Sequence, residues 1–300
     1  MKHIVFEGAA TAIVTPMDAD GNVDFAAFGR LIEAQIAGGI DALVVAGTTG
    51  ENATLTDPEH QEVIRYAVEK VNHRVPVIAG TGSNYTDHAI EMTRFACQAG
   101  ADAVLLVCPY YNKATQRGAV AAFQAIADAS AVPCILYNVP SRTGFNLTPE
   151  SCYTLSKHPN IVAIKEASGN VSQVAQIARL CGDDLTIYSG NDDQIIPILS
   201  LGGKGVISVL SNVLPGETSR MVHDYLAGRT ADALKAQLRY LPLIDALFAE
   251  VNPIPVKAAT AAMGYGENVL RLPLCPMDAA LEEKLLHLMR QAGVPLKEEV

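Results

Sequence analysis

Eight short apolar runs, each followed by an amphipathic stretch, limit what this chain can fold into. They cover residues 11–16, 42–47, 75–80, 103–109, 134–138, 161–165, 186–189 and 205–209. Apolar runs of this length, bounded by turn formers, read as strands buried on both faces of a parallel sheet. Helices are expected between them, over 24–38, 58–71, 86–99, 118–129, 149–157, 171–180, 194–201 and 217–226. Thr56 and Glu59 have capping-box spacing ahead of the second helix, and Thr148 with Pro149 opens the fifth.

Regular strand–helix alternation leaves a closed barrel or a doubly wound open sheet. Each repeat is roughly 25–30 residues, typical of a single βα unit. Eight repeats without a Gly-x-Gly-x-x-Gly start favour the closed (β/α)8 TIM barrel. Strand signals stop after Leu226, and helices are expected over 230–250, 253–263 and 278–292. The expected organisation is therefore a barrel over residues 1–226 and a C-terminal helical extension over 227–300. No Ser- or Gly-rich linker divides them, so they should pack together.

Composition narrows the function classes. With 49% hydrophobic and 18% charged residues the chain reads as soluble and globular. A net charge of −10 argues against a nucleic-acid surface, which needs a basic patch. Residues 1–10 lack an apolar signal core, and no run is long enough to span a bilayer, so a cytoplasmic protein without a membrane partner is expected. The six cysteines are scattered without a Cys-x-x-Cys pair and read as buried free thiols. The histidines are dispersed, and no metal site is expected.

The sixth run carries the chemistry. Ile161-Val162-Ala163-Ile164 leads straight into Lys165, near the C-terminal end of its strand. Active sites of (β/α)8 barrels lie at that end. Burial there disfavours the ammonium and exposes a nucleophilic amine. Taken alone, the strand also allows a lysine paired with Glu166 or one reaching out to water. The other strand ends place Gly47-Thr48-Thr49-Gly50-Glu51, Gly80-Thr81-Gly82, Pro109-Tyr110-Tyr111-Asn112, Tyr137 to Gly144, Ser189-Gly190-Asn191-Asp192 and Ile207 on one rim. Gly-Thr-Thr-Gly suits a carboxylate or phosphate through its backbone N–H groups, or is an ordinary tight turn. Tyr137 is a proton carrier or a packing residue. Together the rim offers an amine, phenols, hydroxyls and the Arg142 guanidinium, with few carboxylates. That set suits imine formation with a small anionic keto acid.

These motifs, with Ile164-Lys165-Glu166 and the Asn-Pro-Ile-Pro-Val-Lys stretch at 252–257, resemble the dihydrodipicolinate synthase family. It belongs to the pyruvate-dependent class I aldolase / N-acetylneuraminate lyase superfamily, and the similarity covers essentially the whole chain. Neuraminate lyases lack the arginine found here as Arg142 and usually carry Ser in place of Thr48. The resemblance implies a lyase that condenses pyruvate with L-aspartate 4-semialdehyde, in diaminopimelate and lysine biosynthesis. It implies an imine on Lys165, a pyruvate carboxylate held by the Thr48 and Thr49 N–H groups, and a proton relay from Tyr137 through Thr48 to the partner subunit's Tyr111. Arg142 would grip the semialdehyde carboxylate, and Gly190 and Ile207 would line the pyruvate pocket. No metal or organic cofactor is implied, and the assembly would be a homotetramer, a dimer of dimers. A regulatory L-lysine pocket would involve Asn52, Ala53, Asp57, His60, Asn84, His88 and Tyr110. His88 stands where lysine-sensitive members place a glutamate, and Asp57 where they often place a histidine. Alternatives are a sugar-acid aldolase of the same superfamily, a non-catalytic ligand-binding barrel, and a phosphate-binding barrel using Gly202-Gly203-Lys204-Gly205. Arg142 weighs against the first and the complete relay against the second. The third leaves Lys165 unexplained.

Overall fold

The apolar runs form eight parallel strands that close into a barrel in sequence order. A computed structural model describes residues 2–297; Met1 and residues 298–300, the outer ends of the two expected regions, lie outside them. β1 (Gly8–Ala12), α1 (Phe25–Ala37), β2 (Ala42–Val45), α2 (Asp57–Val71), β3 (Val77–Gly80), α3 (Thr86–Ala99), β4 (Ala103–Val107) and α4 (Gln116–Asp128) make the first half. The second half runs through β5 (Cys134–Asn138), α5 (Pro140–Thr143), α6 (Pro149–Leu155), β6 (Ile161–Glu166), α7 (Val171–Cys181), β7 (Thr186–Ser189), α8 (Ile195–Ser200), β8 (Gly205–Ser208) and α9 (Pro215–Leu226). Then follow α10 (Thr230–Leu247), α11 (Ile254–Ala262) and α12 (Ala279–Ala292). Among the described residues no helix is long and apolar enough to cross a membrane.

Local signals account for most of these elements. The Thr56–Glu59 capping box is formed in both directions, and Thr148 accepts from the Ser151 N–H. Two elements differ from the sequence-based expectation. β1 begins at Gly8 rather than residue 11, because its sequence Gly-Ala-Ala-Thr-Ala carries no bulky apolar signal. Small residues are needed there: a Cβ at Gly205 of the neighbouring β8 would lie 2.0 Å from the Gly8 carbonyl oxygen. The second is α5, a four-residue turn with Pro140 in its first turn, too short to show periodicity.

Two apolar layers hold the barrel. The outer one lies between strands and helices and the inner one fills the barrel itself, with Ala10, Val44, Ile78, Leu105, Ile135 and Ile207 among its members. At the N-terminal end Phe6 stacks on Tyr188 with ring centroids 4.2 Å apart, and the Tyr188 hydroxyl donates to the Phe6 carbonyl at 2.8 Å. The barrel is thus a packed core rather than a pore. α10 packs on α9, and α12 on α10 and α11. Cys108, Cys134, Cys152 and Cys181 are buried free thiols, but Cys97 is half-buried and Cys275 exposed. The exposure of Cys275 corrects the core expectation: it lies in the irregular segment between α11 and α12.

Candidate active site

Lys165 faces the barrel interior because β6 carries one extra residue. Cys134 pairs with Ile161, but the next residue, Ile135, pairs with Ala163, so Val162 has no partner in β5. Ile161 belongs to the outer layer, whereas Val162 and Ala163 both belong to the inner one. Strict alternation from Ile161 would have put Lys165 outside. The bulge shifts the phase, so Lys165 comes level with the inward Tyr137, and Glu166 with the outward Asn138. Glu166 then accepts from Asn138 Nδ2 at 3.0 Å and from the Ser168 N–H at 2.7 Å, on the far side of the sheet. Lys165 neither pairs with Glu166 nor reaches out of the strand end; it is only 6% exposed.

The pocket around the amine is tight. Lys165 Nζ lies 4.4 Å from the Tyr137 ring centroid. A Cβ at Gly190 would approach Ala167 Cβ to 2.7 Å and Lys165 Cε to 3.1 Å, so glycine makes the room the lysine occupies. Ile207 is buried in the inner layer. Burial lowers the Lys165 pKa to about 8, against the opposing charge of Asp192 and with that of Arg142. Burial likewise pushes the Tyr137 phenol up, while Arg142 and a hydrogen bond from Thr48 draw it back.

The Gly47–Glu51 turn forms one wall. The Glu51 N–H donates to the Thr48 carbonyl at 3.1 Å. Among the described residues the Thr48 and Thr49 N–H groups donate to no protein acceptor, so both are free for a ligand. Thr49 Oγ1 accepts from Asn252 Nδ2 at 3.0 Å, and the Asn252 carbonyl accepts from Arg142 Nη2 at 2.9 Å. Arg142 and Thr49 are therefore joined through a residue just before α11.

A cavity of about 420 Å³ opens over this group. Gly47, Thr48, Tyr137 and Arg142 line it on one side, and Asn52, Ala53, Asp57, His60, His88 and Tyr110 on another. Part of the set expected for catalysis thus shares a space with most of the lysine set, whereas Lys165, Thr49, Gly190 and Ile207 do not line it. Asn84 stands behind the wall, its Nδ2 donating to the Tyr110 carbonyl at 3.2 Å. His60 is buried with Nε2 2.8 Å from the Gly80 carbonyl oxygen, and burial lowers its pKa. His88 Nε2 lies 3.0 Å from Asp57 Oδ1, so the two unusual residues of the lysine set face each other. Tyr111 is not brought to the cavity: it is 90% exposed. Sequence reasoning missed Asn252 as a site residue. A signal was there, since it is a polar residue opening an otherwise apolar segment.

The Dihydrodipicolinate synthetase family matches over residues 5–292. The 4-hydroxy-tetrahydrodipicolinate synthase of Alkaliphilus oremlandii is 53% identical over 290 residues, covering 97% of this chain and 100% of that one. Among solved structures, dihydrodipicolinate synthase from Aquifex aeolicus superposes with a TM-score of 0.95 at 41% identity, covering 98% of this chain and 100% of that one. The Cyanidioschyzon merolae enzyme with lysine bound gives a TM-score of 0.94 at 44% identity, covering 97% and 99%.

The depressed Lys165 pKa has a stability consequence. The unfolded chain holds the lysine proton up to its ordinary 10.5, whereas the folded protein releases it at about 8. The penalty of the buried ammonium is thus fully present below pH 8 and fades towards 10.5. Lys165→Met should melt at a higher temperature than the unmodified protein at neutral pH, with the difference shrinking as pH rises. Thermal denaturation across pH measures this, and a lower, pH-independent melting temperature would count against it.

Proposed function

The chain belongs to the dihydrodipicolinate synthetase family, and we infer that it condenses pyruvate with L-aspartate 4-semialdehyde through an imine on Lys165 to give 4-hydroxy-tetrahydrodipicolinate. One observation carries the mechanism: a buried lysine at a barrel mouth with its pKa lowered to about 8. Near neutral pH such an amine has a usable unprotonated fraction. It adds to the pyruvate ketone, and loss of water gives the imine. The imine draws electrons from the methyl group, which loses a proton to become an enamine. The enamine carbon then bonds to the semialdehyde's aldehyde carbon, and the oxygen takes up a proton as a hydroxyl. The amino group of the bound semialdehyde attacks the imine carbon, closes the ring and releases Lys165 as the free amine.

In this reading the Thr48 and Thr49 N–H groups receive the pyruvate carboxylate. Tyr137, hydrogen-bonded by Thr48, moves the protons, and Gly190 and Ile207 enclose the pyruvate. Arg142, at the cavity edge, takes the semialdehyde carboxylate. The partner subunit's Tyr111 completes the relay. We take the assembly to be a homotetramer built as a dimer of dimers, and Tyr111 supports contact with a second copy. Its ring is almost wholly exposed and its backbone is left-handed, with φ 67°. A tyrosine held in that way in solvent gains a purpose against a second copy. The six free thiols fit a reducing compartment, and we place the enzyme in the cytoplasm.

Borohydride reduction in the presence of pyruvate, followed by mass spectrometry, should add one pyruvate-derived group on Lys165; labelling elsewhere would defeat the mechanism. Tyr137→Phe should lower turnover roughly 10²–10⁴-fold. Arg142→Ala should weaken semialdehyde use by about 1.5–3 kcal/mol while leaving pyruvate trapping in place.

The Asn52–Tyr110 wall is where an effector would bind. A dibasic ligand meets the His88 imidazole where a glutamate would attract it, and the Asp57 carboxylate is already engaged by His88. The missing charge-assisted bond costs roughly 1.5–3 kcal/mol. L-lysine should therefore inhibit only at about millimolar concentrations or above, and His88→Glu should strengthen inhibition. A lysine titration of initial rates tests this; strong sub-millimolar inhibition of the unmodified enzyme would contradict it.

A further inference from the structure

The 252–257 stretch holds a second buried lysine that the chemistry above does not use. Lys257, on α11, places Nζ 2.6 Å from Glu51 Oε1, and the two side chains are 2% and 0% exposed. Burial lowers the Lys257 pKa, with Glu51 opposing it. The contact lies off the hydrogen-bond directions. Among the described residues neither Glu51 carboxylate oxygen nor Lys257 Nζ has an aligned hydrogen-bond partner. A buried ion pair with unmatched lone pairs and protons recovers little of its desolvation cost, and neutral replacements are often as stable. Stability alone therefore does not require this pair to be charged.

The pair's position gives a reason for it. Glu51 ends the Gly-Thr-Thr-Gly-Glu turn with a left-handed backbone, φ 56°, and Ala46 flanks the other end at φ 52°. Residues with a side chain stay in that region only when their surroundings fix them. Between these two lie the free N–H groups of Thr48 and Thr49. Three contacts fasten the turn from outside it. Thr15 Oγ1 donates to the Gly50 carbonyl at 2.8 Å, Asn252 Nδ2 to Thr49 Oγ1 at 3.0 Å, and Lys257 grips Glu51. Two of the three come from the segment at α11.

We propose that the Glu51–Lys257 ion pair positions the keto-acid carboxylate site: Lys257 holds Glu51 in its left-handed turn, and that turn aims the Thr48 and Thr49 N–H groups into the barrel mouth. Both are positioning residues and neither touches the reacting atoms. This deepens, and rests on, the reading of Lys165 as the imine-forming residue.

The test uses the full-length protein with Lys257→Met, Glu51→Gln/Lys257→Met and Glu51→Asp. Two quantities are read for each: the melting temperature, and the pyruvate concentration giving half-maximal borohydride trapping on Lys165. Lys257→Met leaves a lone buried carboxylate and should melt early; the neutral double variant should recover the unmodified melting temperature. Half-saturating pyruvate should nevertheless stay at least about tenfold raised in the double variant, with the limiting trapping rate changed less than about threefold. Glu51→Asp, which keeps the charge and shortens the reach, should fall between. A purely structural pair would restore half-saturation together with the melting temperature, so a value within about twofold of the unmodified protein in the double variant, or no change in Glu51→Asp, overturns the proposal. If the unmodified protein shows no trapping on Lys165, the imine reading has failed. Pyruvate affinity by calorimetry then reads the same tenfold change and decides the positioning claim separately.

Discussion

The site depends on one extra residue in β6. Val162 has no partner in β5, and everything C-terminal to it is turned over. Without the bulge Lys165 would share the outer face with Ile161 and meet the helical layer. With it, the amine enters the barrel between Tyr137 and Gly190, where water is scarce and the ammonium is costly. The same shift sends Glu166 outward, into a network with Asn138 and Ser168. A carboxylate next in sequence is thereby kept from neutralising the lysine. Backbone register, more than any one contact, sets the chemistry of this amine.

The half of the site proposed to bind the keto-acid carboxylate is built differently. It uses backbone N–H groups in a turn held from the far end of the chain. Asn252 links Thr49 to Arg142, so the receptor for one substrate's carboxylate and the side chain expected to take the other's share a support. The helices after α9 are therefore more than an appendage on a finished barrel: the segment entering α11 fastens Thr49 and Arg142 at its mouth.

Much of this fold was legible in the sequence, because seven of the strands announce themselves as apolar runs and the helices by caps such as Thr56 and Thr148. β1 started earlier than expected, since Gly8-Ala9-Ala10 packs by being small and leaves no hydrophobic signal. Thr48, Tyr137 and Arg142 fell at the mouth where strand ends put them. Lys165 also fell at the mouth as expected, but the bulge that turns it inward leaves no mark in composition. The tie between Asn252 and Thr49 and the Glu51–Lys257 pair were also invisible, each joining positions some two hundred residues apart. Tyr111 was placed on the rim by sequence, yet one chain leaves it in solvent.

Burial, with a smaller push from Arg142, makes Lys165 a usable nucleophile near neutral pH. Titrating its amine in the free enzyme, by the pH dependence of its reaction with an amine-specific reagent mapped by mass spectrometry, measures this directly. A midpoint at about 8 is expected. A midpoint at the ordinary 10.5 would mean that the barrel mouth does not desolvate the amine, and would contradict it.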